Sequence, residues 1–416
     1  MSAIKTFFKQ FSWLAVAEAW GKVVIFILLT LVAHLGTEQL GVYSYVLSIM
    51  GIFSILSDFG TTGIYIREAK KDPAQSGSVF VQFFFLKIAI VACFAVGSSI
   101  WLLATHSNPD EWWYFLLYGV FVMFDTFTML CLAHLRTQEL FSYEAGVKII
   151  SRVVLLIVLG IAALCGVLDL FTVFLAYAIA GFFAFIAAGI SVLPTIVRRV
   201  IDGSYRPRLR AMKEAFAASF PLGLSTVFWQ IYYRIDTVIL KKIKGDAVTG
   251  YYSAAYGLLQ LINVFPALAM VVLFPKFADQ FHHDRAQYRK QFRAAVMLFL
   301  GGGVVVAFCT ALIAPIIPYY FGAEYSDSVH ILRVLAWAIP ILYVNHVLAN
   351  NLVVIKKAST LTVISFVGII VNVTLNVITI PTYGAVAAAW NTAFTEYSVC
   401  ILFTLALRNA YKKMYA

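Results

Sequence analysis

The chain has 416 residues, of which 62% are hydrophobic and 12% are charged, and its net charge is +11. Soluble domains carry about 25% charged residues, so the composition excludes a soluble globular fold, a disordered chain and a disulfide scaffold. The apolar runs are continuous, as helices in lipid require, and lack the period of two that marks an outer-membrane barrel. The composition therefore predicts an all-α polytopic membrane protein.

Twelve apolar runs in the chain are long enough to cross a bilayer, whose core of about 30 Å needs about 20 helical residues. The first run is too long for a signal peptide, and Glu18 and Lys22 interrupt it, so we interpret it as a spanning helix. The predicted spans are 12–35, 40–62, 79–104, 112–135, 147–166, 169–194, 214–240, 249–275, 294–318, 329–352, 361–380 and 384–407.

Basic residues indicate the orientation of these spans, because Lys and Arg concentrate in cytoplasmic loops. With the N-terminus inside, most of the 31 Lys and Arg residues lie in inside segments, and the outside segments hold only Lys241, Lys242 and Lys244. We therefore predict that both termini are cytoplasmic. The same distribution explains the positive charge without a nucleic-acid partner.

A short pattern recurs half a chain apart and indicates an internal repeat. GxxxxGxYS occurs at residues 36–44, after the first span, and again at 245–253, after the seventh. Six helices per half give both halves the same orientation, which predicts a parallel repeat of two six-helix lobes. The predicted domains are a lobe at 1–197, a basic cytoplasmic linker at 198–213, a lobe at 214–408 and a tail at 409–416. Anionic membrane lipids attract basic segments such as this linker.

Cysteine and histidine usage predicts neither a metal site nor a cofactor. The five cysteines are scattered without a CxxC pair, and the seven histidines form no cluster with metal-ligand spacing. The sequence also lacks the P-loop, HExxH and GxSxG patterns. We therefore expect no catalytic residues.

Motifs in both halves resemble those of a known family. They are Gly41-Val-Tyr-Ser and Asp58-Phe59-Gly60 in the first half, and Tyr233-Arg234-Ile-Asp236, Gly250-Tyr-Tyr-Ser and Leu273-Phe274-Pro275 in the second. With the span count and the repeat, the chain resembles the Wzx-type O-antigen flippases of the multidrug/oligosaccharidyl-lipid/polysaccharide exporter superfamily. The lipid II flippases are fourteen-span relatives in the same superfamily.

The resemblance implies a MATE-like fold in the bacterial inner membrane and no covalent chemistry. It implies that undecaprenyl-diphosphate-linked oligosaccharide moves from the cytoplasmic to the outer leaflet by alternating access, for O-antigen and lipopolysaccharide synthesis. A polysaccharide polymerase and a chain-length regulator are the expected protein partners. The alternatives are an ion-coupled drug or metabolite antiporter of the same superfamily and, less well matched to the short inside loops, a membrane glycosyl- or acyltransferase.

Cations within spans are candidates for binding the diphosphate, because ionisable residues at membrane depth are costly and are usually functional. We predict diphosphate contacts from Arg234, Lys22, Arg152 and Lys148. For each cation an alternative stays open. Lys22 could pair with Glu18 one helical turn earlier, Lys148 and Arg152 could extend to the membrane interface, and Arg234 could form a structural ion pair.

Acids and amides within spans suggest two further roles. Four acids are candidates for coupling transport to H⁺ or Na⁺: Asp125, Glu396, Asp58 and Glu18. For Asp125 and Glu396 the alternative is a hydrogen bond to a neighbouring Thr or Asn side chain. Asp236 is predicted to form a structural ion pair. Asn372 and Asn376 share a helix face and are predicted either to contact sugars or to link helices.

Overall fold

The computed structural model describes residues 2–72, 75–105, 109–201 and 209–415, and every regular element in these residues is a helix. The helices of the first half are α1 (Ser2–Ala33), α2 (Thr37–Asp58), α3 (Thr61–Lys71), α4 (Ser76–Ala104), α5 (Pro109–Thr137), α6 (Phe141–Leu164) and α7 (Leu170–Ile201). Those of the second half are α8 (Leu209–Lys244), α9 (Asp246–Ile262), α10 (Val264–His283), α11 (Arg285–Ile313), α12 (Ile317–Phe321), α13 (Ser326–Ala336), α14 (Ile339–Val354) and α15 (Ala358–Tyr415).

The predicted spans all lie on these helices, but several helices are broken or fused. By length and composition, nine helical segments in the described residues are able to cross a membrane, or ten if the bent pair α13–α14 counts as one span. The segment Ala358–Lys412 contains two predicted spans, which separate at Gly384, where φ is +59°. The predicted span 214–240 lies on the long helix α8. The chain is therefore a multi-pass helical membrane protein.

The first compact unit comprises Met1–Leu28 and Val46–Gln230. Its core is formed by apolar side chains of α3 to α7, including Tyr65, Phe80, Phe83 and Leu130. The buried Tyr65 hydroxyl lies 2.6 Å from Nδ1 of His134, so the polar group inside this core has a hydrogen-bond partner.

The second compact unit comprises Leu29–Tyr45 and Ile231–Ala416. Within it α11 and α10 pack on α14, which in turn packs on α15, while α13 packs on α9 and α15. Helices α1, α2 and α8 contribute residues to both units. Of the predicted linker, residues 202–208 lie outside the described residues, and its ends belong to α7 and α8. The six-helix lobes stay a prediction.

The two copies of the repeated pattern adopt matching local structures in the second unit. Gly36 and Gly245 both have positive φ, at +116° and +83°, where a side chain would be strained. A methyl group built on Gly41 would lie 2.0 Å from the carbonyl oxygen of Asp246, and one on Gly250 would lie 2.0 Å from that of Thr37. The repeated glycines therefore serve a reciprocal contact between the starts of α2 and α9.

Candidate functional site

A polar cavity of about 140 Å³ lies in the first unit. Helices α1, α5 and α6 supply its ionisable lining residues, and α7 adds Ala184. The polar lining residues include Glu18, Asp125, Lys148, Ser151 and Arg152. Four predicted residues from three different spans thus come together in one place, which we name the Arg152 cavity.

Lys148 forms ion pairs with two acids in the first unit. Its Nζ lies 2.6 Å from a carboxylate oxygen of Glu18 and 3.0 Å from one of Glu144, and its side chain is only 18% exposed. Lys148 therefore bridges two carboxylates. The described ion pair of Glu18 is with Lys148 on another helix, and not with Lys22, as the alternative for Lys22 has it.

Glu144 extends this series of charges to the end of α5. Arg136 donates two hydrogen bonds to its carboxylate, from Nε at 2.7 Å and from Nη2 at 2.5 Å. The paired geometry suits a guanidinium and a carboxylate. Positive and negative side chains therefore alternate along a series of ion pairs that reaches the Arg152 cavity. In order, these residues are Arg136, Glu144, Lys148 and Glu18.

Asp58, a predicted coupling residue, forms an ion pair in the first unit. Its Oδ1 lies 2.5 Å from Nζ of Lys87, whose side chain has no exposed surface. Thr62 and Thr61 also donate to Asp58. The pair fixes the end of α2, where the chain turns through Phe59 at φ +42° and Gly60 at φ +74°. This geometry indicates a structural role for Asp58.

Asp236, in the second unit, is held by neutral groups in place of the predicted ion pair. Its Oδ2 accepts hydrogen bonds from the hydroxyls of Tyr252 at 3.0 Å and Thr392 at 2.9 Å. Its Oδ1 accepts one from Nδ2 of Asn376 at 2.6 Å. Asn376 also donates to Asn372. Both asparagines are buried and bonded to protein groups, as the helix-linking alternative predicts.

Glu396 is the second buried carboxylate of this unit. Oε1 accepts a hydrogen bond from the hydroxyl of Tyr232 at 2.6 Å, and Oε2 accepts one from Nδ2 of Asn345 at 2.7 Å. Glu396 and Asp236 both line a small cavity of about 20 Å³, together with tyrosines of α8 and α9. We name it the Glu396 cavity.

The remaining predicted cations are separate from these two cavities. Lys22 is exposed in the first unit, and Arg234 is half-buried in the second. Neither belongs to the described lining of the Arg152 cavity or of the Glu396 cavity. In the part of the chain that the structure describes, no group of three or more His, Cys, Asp or Glu side chains is arranged to hold a metal ion.

Sequence reasoning missed the partners that hold the acids. Tyr252 belongs to the repeated GxxxxGxYS pattern, so the recurrence of this tyrosine was a usable signal that it has a specific contact. Lys87 and Arg136 gave no such signal, because each pairs with an acid from another helix.

Comparisons with known proteins agree with this fold. Residues 7–281 match the family model described as "Polysaccharide biosynthesis protein", and residues 221–378 match the model described as "MatE". A relative from Haloferax volcanii, the "Probable low-salt glycan biosynthesis flippase Agl15", is 21% identical over 395 residues, which cover 92% of this chain and 79% of the relative.

Two solved structures have the same fold at low identity. The "Lipid II flippase MurJ, inward closed conformation" has a TM-score of 0.74 at 15% identity and covers 95% of this chain and 87% of its own. An inward-facing multidrug resistance MATE transporter of the MOP superfamily has a TM-score of 0.78 at 13% identity, with 95% and 96% covered. As the sequence motifs predicted, the chain has the fold of MOP-superfamily transporters and belongs to the polysaccharide biosynthesis protein family.

Proposed function

We propose that this protein is a flippase for lipid-linked oligosaccharide, with undecaprenyl diphosphate as the lipid carrier. The Arg152 cavity is the observation that carries the proposal. The family match and the glycan flippase from Haloferax volcanii support it. In the proposed cycle, two six-helix lobes move the headgroup from the cytoplasmic to the outer leaflet by alternating access.

The charges of the Arg152 cavity suit an exchangeable anion. Arg152 presents a planar set of donors that matches phosphate oxygens, and Ser151 adds a hydroxyl beside it. Lys148 is neutralised by Glu18, whose side chain is 54% exposed. An arriving diphosphate replaces Glu18 as the partner of Lys148, so this lysine is paired both before and after binding.

The binding test uses purified protein and farnesyl diphosphate, a short polyprenyl diphosphate. Arg152→Gln removes a charged hydrogen-bond donor, and we expect the affinity to fall by about tenfold to a hundredfold. The matched control is Arg333→Gln, because Arg333 is exposed on α13 in the second unit. Equal affinities for Arg152→Gln and the wild type would contradict the assignment of Arg152, and absence of binding by the wild type would contradict a diphosphate substrate.

Arg234 is proposed as a second headgroup contact from the motif that carries the family resemblance. In a strain that depends on this protein for its surface polysaccharide, Arg234→Ala should leave lipid-linked repeat units on the inner leaflet and lower the surface polymer. Arg234→Lys keeps the charge and should keep part of the activity. Normal polymer at normal protein levels for Arg234→Ala would remove Arg234 from the site.

Transport is proposed to be coupled to a proton or sodium gradient. Asp125 in the first unit, and Asp236 and Glu396 in the second, are carboxylates without an ion pair within 4.0 Å in the described contacts. The same feature favours the antiporter as the second candidate function, because cationic substrates suit such acids. Drug susceptibility that rises on deletion of the gene, with normal surface polysaccharide, would select the antiporter.

The biological setting follows from the proposed substrate. We propose the bacterial inner membrane, with both termini in the cytoplasm, and O-antigen or another surface polysaccharide as the product. A polymerase and a chain-length regulator would act on the transported repeat unit, because the flippase itself makes and breaks no covalent bond in this scheme.

A further inference from the structure

An open groove in the second unit shares no lining residue with the Arg152 cavity or the Glu396 cavity. It has a volume of about 380 Å³ and lies between α10 and α14. Pockets that bind small ligands measure about 300–1,000 Å³, so its size suits a small organic molecule. The lining residues are Ala267, Met270, Val271 and Phe274 of α10 and His346 and Asn350 of α14. We name it the Phe274 groove.

The two walls of this groove differ in polarity. The four α10 residues follow one another at spacings of three and four, so they form a continuous apolar stripe. The two α14 residues are one helical turn apart, and both have polar side chains. Phe274 belongs to the Leu273-Phe274-Pro275 motif, which has no part in the sites described above. The groove is therefore apolar on one side and polar on the other.

Hydrogen bonds determine which atom of His346 is left for a ligand. Nδ2 of Asn263 donates to the hydroxyl of Tyr233 at 2.9 Å, so Oδ1 is the Asn263 atom that lies 3.1 Å from Nε2 of His346. Nε2 therefore carries a hydrogen and donates it. In a neutral imidazole the other ring nitrogen, Nδ1, is then an acceptor. His346 thus brings a hydrogen-bond acceptor to the groove.

Asn350 and Val271 bring two more acceptors. Nδ2 of Asn350 donates to the backbone oxygen of His346 at 2.8 Å, which leaves Oδ1 of Asn350 to accept. Pro275 lies within α10 and has no N–H, so it does not donate to the carbonyl oxygen of Val271 as a residue four positions later normally does. None of the described lining residues is Lys, Arg, Asp or Glu. The groove thus offers neutral acceptors beside an apolar stripe.

This combination restricts what the groove is able to hold. A hydrocarbon chain would cover the acceptors without supplying donors, which is costly for polar groups. A diphosphate would bring a negative charge to a wall of acceptors. An organic cation at membrane depth would find no carboxylate in the described lining to neutralise it. A neutral ring with hydroxyl donors on its edge and C–H groups on its faces satisfies both walls, and a sugar is such a ring.

We propose that the Phe274 groove binds a neutral sugar of the transported oligosaccharide. Sugar hydroxyls donate to Nδ1 of His346 and Oδ1 of Asn350. The C–H groups of the sugar pack on Phe274, because the face of an aromatic ring carries partial negative charge. The inference rests on the proposed transport of lipid-linked oligosaccharide, and it adds a saccharide site whose lining differs from that of the diphosphate site.

Photocrosslinking in cells tests the proposal. Phe274 is replaced by p-benzoylphenylalanine in a strain that depends on this protein for its surface polysaccharide, and the probe is the lipid-linked repeat unit that the strain makes. After irradiation and purification, mass spectrometry should detect adducts at position 274 that release sugar fragments. An adduct of this kind requires the saccharide to lie against the apolar wall of the groove.

The matched control is the same replacement at Phe265, an aromatic residue of the same helix. Phe265 is 67% exposed and is absent from the described lining of the groove. It lies about two and a half helical turns from Phe274, and therefore on the opposite face of α10. Position 265 should give lipid adducts without sugar.

Asn350→Leu tests the polar wall, because it removes Oδ1 and changes the side-chain volume little. The yield of sugar adducts at position 274 should fall by about twofold to tenfold, the loss expected for one hydrogen bond. The proposal is overturned if position 274 gives only lipid adducts, if position 265 gives sugar adducts in equal yield, or if Asn350→Leu leaves the yield unchanged. Should Asn350→Leu not accumulate in the membrane, the comparison of positions 274 and 265 alone decides the outcome. Should the variant at Phe274 not accumulate, Val271 takes the photoreactive residue, since it lines the same wall and is 46% exposed.

Farnesyl diphosphate separates this result from the proposed function, because that probe carries no sugar. If the wild type binds farnesyl diphosphate and position 274 gives no sugar adduct, the saccharide site alone is wrong. If both results are negative, the lipid-linked substrate itself is contradicted.

Discussion

Gly41→Ala and Gly250→Ala are each expected to lower the thermal unfolding midpoint of the purified protein and to abolish transport. An added methyl group at either position would lie 2.0 Å from a backbone carbonyl oxygen of the other repeat copy. Overpacking a well-packed contact costs about 1–3 kcal/mol or more, and here the opposing atom belongs to a rigid helix start. Each substitution must therefore force α2 and α9 apart within the second unit.

The matched control is a helical glycine in open surroundings. Nothing lies within 4 Å of a methyl group built on Gly301 in α11. Gly301→Ala should be neutral or slightly stabilising, because alanine favours a helix by up to about 1 kcal/mol over glycine. The double variant Gly41→Ala/Gly250→Ala should lose less than the sum of the single losses, since both act on one contact. Wild-type midpoints in both single variants would show that the contact does not constrain the helices.

Asp58→Ala is expected to destabilise the first unit strongly. It would leave Lys87, whose side chain is fully buried, without its partner carboxylate. Removing one member of a buried ion pair typically costs about 3–5 kcal/mol, and we expect a loss at the lower end of this range because the Asp58 side chain is 38% exposed. Thermal unfolding of the purified variant measures the loss. Asp58→Ala/Lys87→Met removes both charges and should recover most of the stability.

An exposed ion pair on the neighbouring helix provides the comparison for Asp58→Ala. Glu68 on α3 pairs with Arg67 and Lys71, whose side chains are 58% and 61% exposed. Such surface pairs contribute about 0–1 kcal/mol, so Glu68→Ala should unfold close to the wild-type midpoint. Equal losses for Asp58→Ala and Glu68→Ala would mean that Lys87 finds another partner or reaches water.

The membrane fold was largely predictable because lipid restricts the choices. A segment that crosses the bilayer must satisfy its own backbone, so long apolar runs indicate helices. The breaks within helices were harder to predict. The turn at Phe59 and Gly60 and the bend of 46° between α13 and α14 depend on packing as well as on local sequence. Apolar composition alone does not mark them.

The residues of the candidate sites were predictable from the sequence, but their ion-pair and hydrogen-bond partners were not. Burial in lipid makes every charge in a span conspicuous, which is why Arg152, Asp125 and Glu396 were named from the sequence. Spacing along one helix suggested Glu18 with Lys22, but the structure pairs Glu18 with Lys148 from α6. Contacts between helices depend on rotation and depth, and a single sequence does not specify either.

The sequence by itself determined that this is a helical membrane protein with an internal repeat and a small set of ionisable residues within its spans. Hydropathy and glycine placement are local properties, so they are legible without a structure. The tertiary structure decided which acids are matched by cations and which by neutral donors. That division depends on groups brought together from distant parts of the chain, as Tyr252, Asn376 and Thr392 are at Asp236.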